Sequence, residues 1–260
     1  MTSDTETAGV IVPITGGEAL LRSESQEGSI LVACDEVTVI RGWCSPGVRI
    51  AGPHVHREHT DAFYVLDGEL TFEVGPELEP VTLSSGGLVA VPPGVAHAFR
   101  TAGDRPARWL TIHAGDGGFA AFMRGIRDGA EVDWDISGIP AGGGLPAGDA
   151  IVSRETDTVG TGPCRLRCAL ADIRVVEWCL RGPHTELQLH RRDSAVESFL
   201  VLEGELEVVL AGTRQVAGPG TLVSLPPGAP HAVNYRGPEP ARVLGLLTPG
   251  DGLGGQLASS

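Results

Sequence analysis

Two histidines one residue apart, His54 and His56, open the chemically densest stretch of the chain, HVHREHTDAFYVLDGEL. On a strand, alternate side chains share a face and stand about 6.5 to 7 Å apart at Cα, so both rings can converge on one ion. Asp61 follows after four residues, and His97 ends the phrase VPPGVAH. Imidazole nitrogen and carboxylate oxygen together suit a divalent transition metal (Fe, Mn, Ni, Co, Cu or Zn), and the donor set does not choose among them. With three neutral imidazoles and one carboxylate, a divalent ion keeps a net charge of about +1 and remains a Lewis acid toward an enolate or catecholate oxygen. Glu58 is a rival carboxylate, but Asp61 is the acid that recurs at the matching place later in the chain.

The elements that must carry these donors are short strands. Thirty-seven glycines and nineteen prolines punctuate runs of Val, Leu, Ile and Thr, which predicts a nearly all-β protein. Helical spacing of apolar residues is confined to GFAAFMRGI, Gly118 to Ile126, predicting one short helix. Phe63 shares strand parity with Asp61 and is a candidate pocket wall, although an inward aromatic also serves as core. His113, in WLTIH, is a second pocket candidate, while His59 reads as a solvated turn residue. Asp67-Gly68 and Glu203-Gly204 read as tight turns between paired strands, making each half a set of hairpins.

The chain repeats itself. HVHREHTDAFYVLDGEL from His54 aligns with HRRDSAVESFLVLEGEL from His190, and VPPGVAH aligns with LPPGAPH ending at His231. Trp43-Cys44 matches Trp178-Cys179, and Ala107-Arg108 matches Ala241-Arg242. The stretch SGIPAGGGLPAG suits a linker. These features divide the chain into residues 1–136, a linker at 137–148, and residues 149–260. In the second half His190, Glu197 and His231 keep their places, but Arg192 stands where the first half has His56. A guanidinium is permanently charged and cannot ligate a metal. Three readings of that site are open: an Arg192–Glu197 ion pair plugging a degenerate metal site, a pocket for an anion, or a three-ligand site with Arg192 swung aside.

With these residues in view the sequence resembles the cupin superfamily, specifically a two-domain cupin. The family's first motif, G-x5-H-x-H-x(3,4)-E-x6-G, is met by His54, His56, Asp61 in place of Glu, and Gly68; its second, G-x5-P-x-G-x2-H-x3-N, is met by Gly86, Pro92, Gly94 and His97, with Thr101 in place of Asn. The resemblance implies two tandem double-stranded β-helix barrels, the first followed by a short helix and holding one divalent metal on His54, His56, Asp61 and His97. The stretch GPHVHREHTDAFYVLDGELTF is similar to cupins of the quercetin 2,3-dioxygenase-like group, which implies oxygenolytic cleavage of an enolic or phenolic small molecule. Family members of this kind also include redox-neutral isomerases and cyclases of keto acids or polyketides, and non-catalytic small-ligand binders. No residue beyond the ligands is singled out as catalytic.

Composition narrows the partners. Nineteen basic and thirty-three acidic residues give a net charge of −14, and every basic residue except histidine is an arginine; such a surface repels nucleic acid. No run of about 18 apolar residues or basic leader occurs, so the expectation is a soluble, cytoplasmic protein without membrane contact. Five cysteines, an odd number, fit reduced thiols better than a disulfide framework. A small-molecule substrate is the expected partner, and exposed strand edges could join two copies as a homodimer.

Overall fold

The computed structural model describes residues 9–115, 118–139, 149–155, 164–181, 192–235 and 238–250, and the backbone of 185–190. The chain forms two compact units, Gly17–Thr158 and Met1–Gly16 with Val159–Ser260. In the first, a seven-stranded sheet runs in the order Ile151–Ser153, Leu88–Val91, Thr60–Asp67, Ala107–Ala114, Val37–Cys44, Gln26–Cys34, Glu18–Arg22. A five-stranded sheet runs Ser137–Gly138, Arg49–Val55, His97–Ala102, Glu69–Val74, Glu79–Ser84. Phe63, Val65 and Val89 from the larger sheet share one buried core with Leu70, Phe72 and Phe99 from the smaller. The second unit has the same plan, with Phe199, Val201 and Val223 meeting Leu206, Val208 and Tyr235.

The strands around Gly68 correct the expected hairpin. Thr60–Asp67 and Glu69–Val74 are consecutive but lie in different sheets, as do Val196–Glu203 and Leu206–Leu210. The chain turns a corner from sheet to sheet at Gly68 (φ 75°) and Gly204 (φ 72°). A side chain at Gly68 would meet the Pro106 carbonyl and Ala107, and one at Gly204 would meet Pro240 and Ala241. Positive φ and close backbone approach together demand glycine at both corners.

Edge strands also shift the units away from the 1–136 and 149–260 division. Val10–Pro13 pairs with Thr221–Leu225 and so belongs to the second unit. Ile151–Ser153 pairs with Leu88–Val91 and belongs to the first, as does Ser137–Gly138, which pairs with Val55 and His54. Residues 140–148 of the expected linker lie outside the described residues.

The expected helix spans Phe119–Asp128, opened by Gly118 and closed by Gly129, both left-handed. Its Phe119 and Ala120 are buried against Leu20, Ile30 and Ile40. Arg124 and Arg127 reach Glu18 at 2.6 and 2.8 Å, and these guanidiniums hold the Glu18 carboxyl down at about 2. Among the described residues no helix is long and apolar enough to cross a membrane. All five cysteines are free.

Candidate metal centre

The four expected donors come from both sheets of the first unit. His54 sits near the end of Arg49–Val55, opposite His97, the first residue of its strand; Asp61, near the start of Thr60–Asp67, stands opposite His113 on Ala107–Ala114. His56 follows directly on the His54 strand. Ligand atoms of His54, His56, Asp61 and His97 all lie within 4.8 Å of one another. Asp61 Oδ2 is 3.3 Å from His97 Nε2 and 3.8 Å from His56 Nε2. Glu58 is exposed on the loop outside this cluster.

Backbone carbonyls orient the rings. Nδ1 of His54 lies 2.7 Å from Gly52 O, that of His56 2.5 Å from Asp135 O, and that of His97 3.3 Å from Val95 O. A carbonyl only accepts, so each Nδ1 carries the proton and each Nε2 keeps its lone pair for another partner. His56 Nε2 is buried without a hydrogen bond. Burial pushes the Asp61 carboxyl up to about 7 and holds the His97 imidazole down at about 4. Burial lowers the His54 and His56 imidazoles as well. A buried carboxylate faced by neutral imidazoles with free lone pairs is costly alone and matches what a divalent cation requires. The residues present therefore fit such an ion.

Two further histidines complete a buried group. His59, expected in solvent, is 1% exposed, and its Nε2 lies 3.0 Å from Nδ1 of His113. The loop is drawn inward by Asp135, whose carboxylate accepts the backbone N–H groups of Arg57 and Glu58, both at 2.8 Å. Trp134 covers His56, His59 and His113 with ring centroids at 4.8, 5.1 and 5.2 Å. Neither Trp134 nor Asp135 carries a motif. Their contribution follows only from the path of the chain after the helix.

A family model described as the cupin domain matches the sequence twice, over residues 44–113 and 178–247. The chain belongs to the cupin family. No curated protein sequence matches it. Among solved structures this cupin is similar to a cupin 2 conserved barrel domain protein from Leptotrichia buccalis, at 12% identity and TM-score 0.62, covering 93% of this chain and 97% of that one. It is similar to protein Ylba from E. coli at 11% identity and TM-score 0.66, covering 93% and 90%. It is also similar to the oxalate decarboxylase of Lactobacillus farciminis, at 13% identity and TM-score 0.59, covering 93% and 86%. At these identities the likeness is one of fold.

In the first barrel of this cupin a cavity of about 640 Å³ opens beside the donors, with His54, Asp61 and His113 at its polar end. Phe63, completely buried, is both core and wall: it packs on Phe72 and Phe99 at 5.1 and 4.6 Å and lines the cavity. The rest of the lining is largely aromatic and aliphatic, including Trp109, Phe119, Phe122 and Met123. Leu21, Ile126 and Ile136, three of the six large apolar side chains that are exposed among the described residues, also line it. Apolar side chains exposed together along one cavity form a patch of the kind that ligand-binding grooves carry.

The second barrel keeps the backbone register and changes the side chains. His190 pairs with His231 as His54 pairs with His97, and Gly228 N–H donates to Arg192 O as Gly94 N–H donates to His56 O. The His190 side chain lies outside the described residues. Arg192 Nε is 3.0 Å from Glu197 Oε2, and His231 Nε2 is 3.2 Å from the same oxygen. The hollow beside Glu197, walled by Trp178 and Leu247, offers about 10 Å³, room for about one water.

Proposed function

We propose that this cupin is a metal-dependent dioxygenase of an enolic or phenolic small molecule, with one divalent transition metal on His54, His56, Asp61 and His97 of the first barrel. The observation that supports the reading most is the join between a buried three-histidine, one-carboxylate cluster and an apolar cavity of about 640 Å³, within the roughly 300 to 1,000 Å³ of small-molecule sites. Bound there, the metal supplies a Lewis-acid site for an enolate or phenolate oxygen and, where redox-active, an electron path toward dioxygen. The protein supplies the rest. Phe119, Phe122 and Trp134 offer ring faces to a flat substrate, and their burial against it excludes water from the donors.

Some structural neighbours are oxalate decarboxylases. Oxalate is a small dianion, and a site built for it calls for cationic donors. No arginine is among the residues lining the cavity described here, and the chain has no lysine. The lining favours an apolar body with its oxygens gathered at one end. In the same reading the second barrel is a degenerate site, its carboxylate occupied by Arg192 and His231.

The test is an oxygen-electrode assay on protein loaded in turn with Fe, Mn, Ni and Co, against a panel of flavonols and other enols with oxalate alongside. Oxygen uptake matching consumption of a phenolic or enolic compound is the expected result. Equal turnover under anaerobic conditions would replace the dioxygenase with a redox-neutral isomerase or cyclase. Turnover of oxalate alone, or of nothing in the panel, would overturn the proposal.

A further inference from the structure

The two halves of this chain meet one carboxylate position with different residues, and the neighbour across the strand changes with it. In the first barrel Asp61 stands opposite His113; in the second, Glu197 stands opposite Leu247. Aspartate is one methylene shorter than glutamate, so its carboxylate sits closer to its own strand and needs a different hold.

The distances show where that hold comes from. Oδ2 of Asp61 lies 3.3 Å from His97 Nε2, whereas Oδ1 lies 3.4 Å from His113 Nε2. His113 is itself fixed: its Nδ1 is 3.0 Å from His59 Nε2, and the Phe119 ring lies against it with centroids 3.5 Å apart. His59 Nδ1 lies 3.2 Å from Asp135 Oδ2. His113 Nε2 stands 3.4 Å from Asp61 Oδ1, a buried oxygen that makes no hydrogen bond as it stands; with its proton on Nε2, His113 is the side chain poised to donate there, while its Nδ1 accepts from His59 Nε2–H. Leu247 has no polar atom with which to do the same for Glu197.

We infer that His113, backed by His59, is a positioning residue that takes Oδ1 of Asp61 and leaves Oδ2 as the ligand atom, compensating in the first barrel for the shorter carboxylate. The inference rests on the metal reading above. It assigns to a buried pair outside the four donors the part that outer partners play around metal ligands, where their loss typically costs about 10- to 100-fold in metal affinity.

The experiment measures Co(II) affinity of the full chain by chelator competition, with the visible absorption band as a report on coordination, in wild type, H113L, D61E, H113Q and the double variant D61E/H113L. H113L is expected to bind Co(II) about 10- to 100-fold more weakly with an altered band, and H113Q, which keeps an N–H donor, to recover part of the loss. D61E alone is expected to weaken binding because the longer side chain is forced against His113. The double variant, which copies the second barrel's pairing, is expected to bind better than either single, since residues in contact are not additive. Wild-type affinity and band shape in H113L would overturn the inference, as would losses that simply add in the double variant. Failure of wild type to bind Co(II) would instead overturn the metal reading beneath it.

Discussion

The His97→Ala variant is expected to leave the first barrel without metal and without turnover. His97 begins its strand directly opposite His54, its Nδ1 is anchored on Val95 O, and its Nε2 faces Asp61 Oδ2. Removing it takes one of four donors and uncovers the carboxylate that a cation must offset. The loss of metal affinity should therefore exceed the roughly 10- to 100-fold that follows removal of an outer partner. His231→Ala removes the equivalent ring of the second barrel and is expected to leave metal content unchanged. Metal analysis of the purified variants together with turnover checks both. Full metal content in His97→Ala would remove that residue from the donor set.

Phe122→Ala is expected to lower kcat/KM for an apolar substrate about 10- to 100-fold, or roughly 1 to 3 kcal/mol, the scale on which a hydrophobic pocket senses lost contact. Phe122 stacks on Trp134 with centroids 4.9 Å apart and planes 27° off parallel, and both line the cavity. It makes no polar contact with the donors, so metal content should match wild type. The helix that carries it is tied down independently by the Glu18 ion pairs with Arg124 and Arg127, and truncation should reshape the cavity wall without releasing the helix. Steady-state kinetics beside metal analysis separates the effects. An unchanged kcat/KM would mean that the substrate does not reach the apolar end.

Legibility in the sequence followed the range of the interactions. The strand spacing of His54 and His56, the recurrence of Asp61 as Glu197, and the turn leading into His97 are local patterns, and they brought together four residues that the fold does gather. The repeat revealed two like halves because each strand set is encoded twice, and the resemblance implied that each is a barrel. What local pattern could not give was the work of long-range backbone. Gly68 shows a turn in either case, but only pairing decides that it is a corner between sheets. Edge strands such as Val10–Pro13 reveal their unit through their partners. His59 read as solvated because it lies between the ligands in an expected turn, yet Asp135, far along the chain, pulls that loop over the site. Trp134 and Asp135 carry no spacing signal, and the pairing of Asp61 with His113 in one barrel against Glu197 with Leu247 in the other becomes meaningful only once the strand register is known.

The most direct test of the central claim is metal stoichiometry: full-length protein loaded with a divalent transition metal, freed of excess by buffer exchange, and measured for ions per chain by elemental analysis. One ion per wild-type chain, lost in His97→Ala and retained in His231→Ala, is the result expected of a single centre in the first barrel. No bound ion, or two held with comparable affinity, would contradict it.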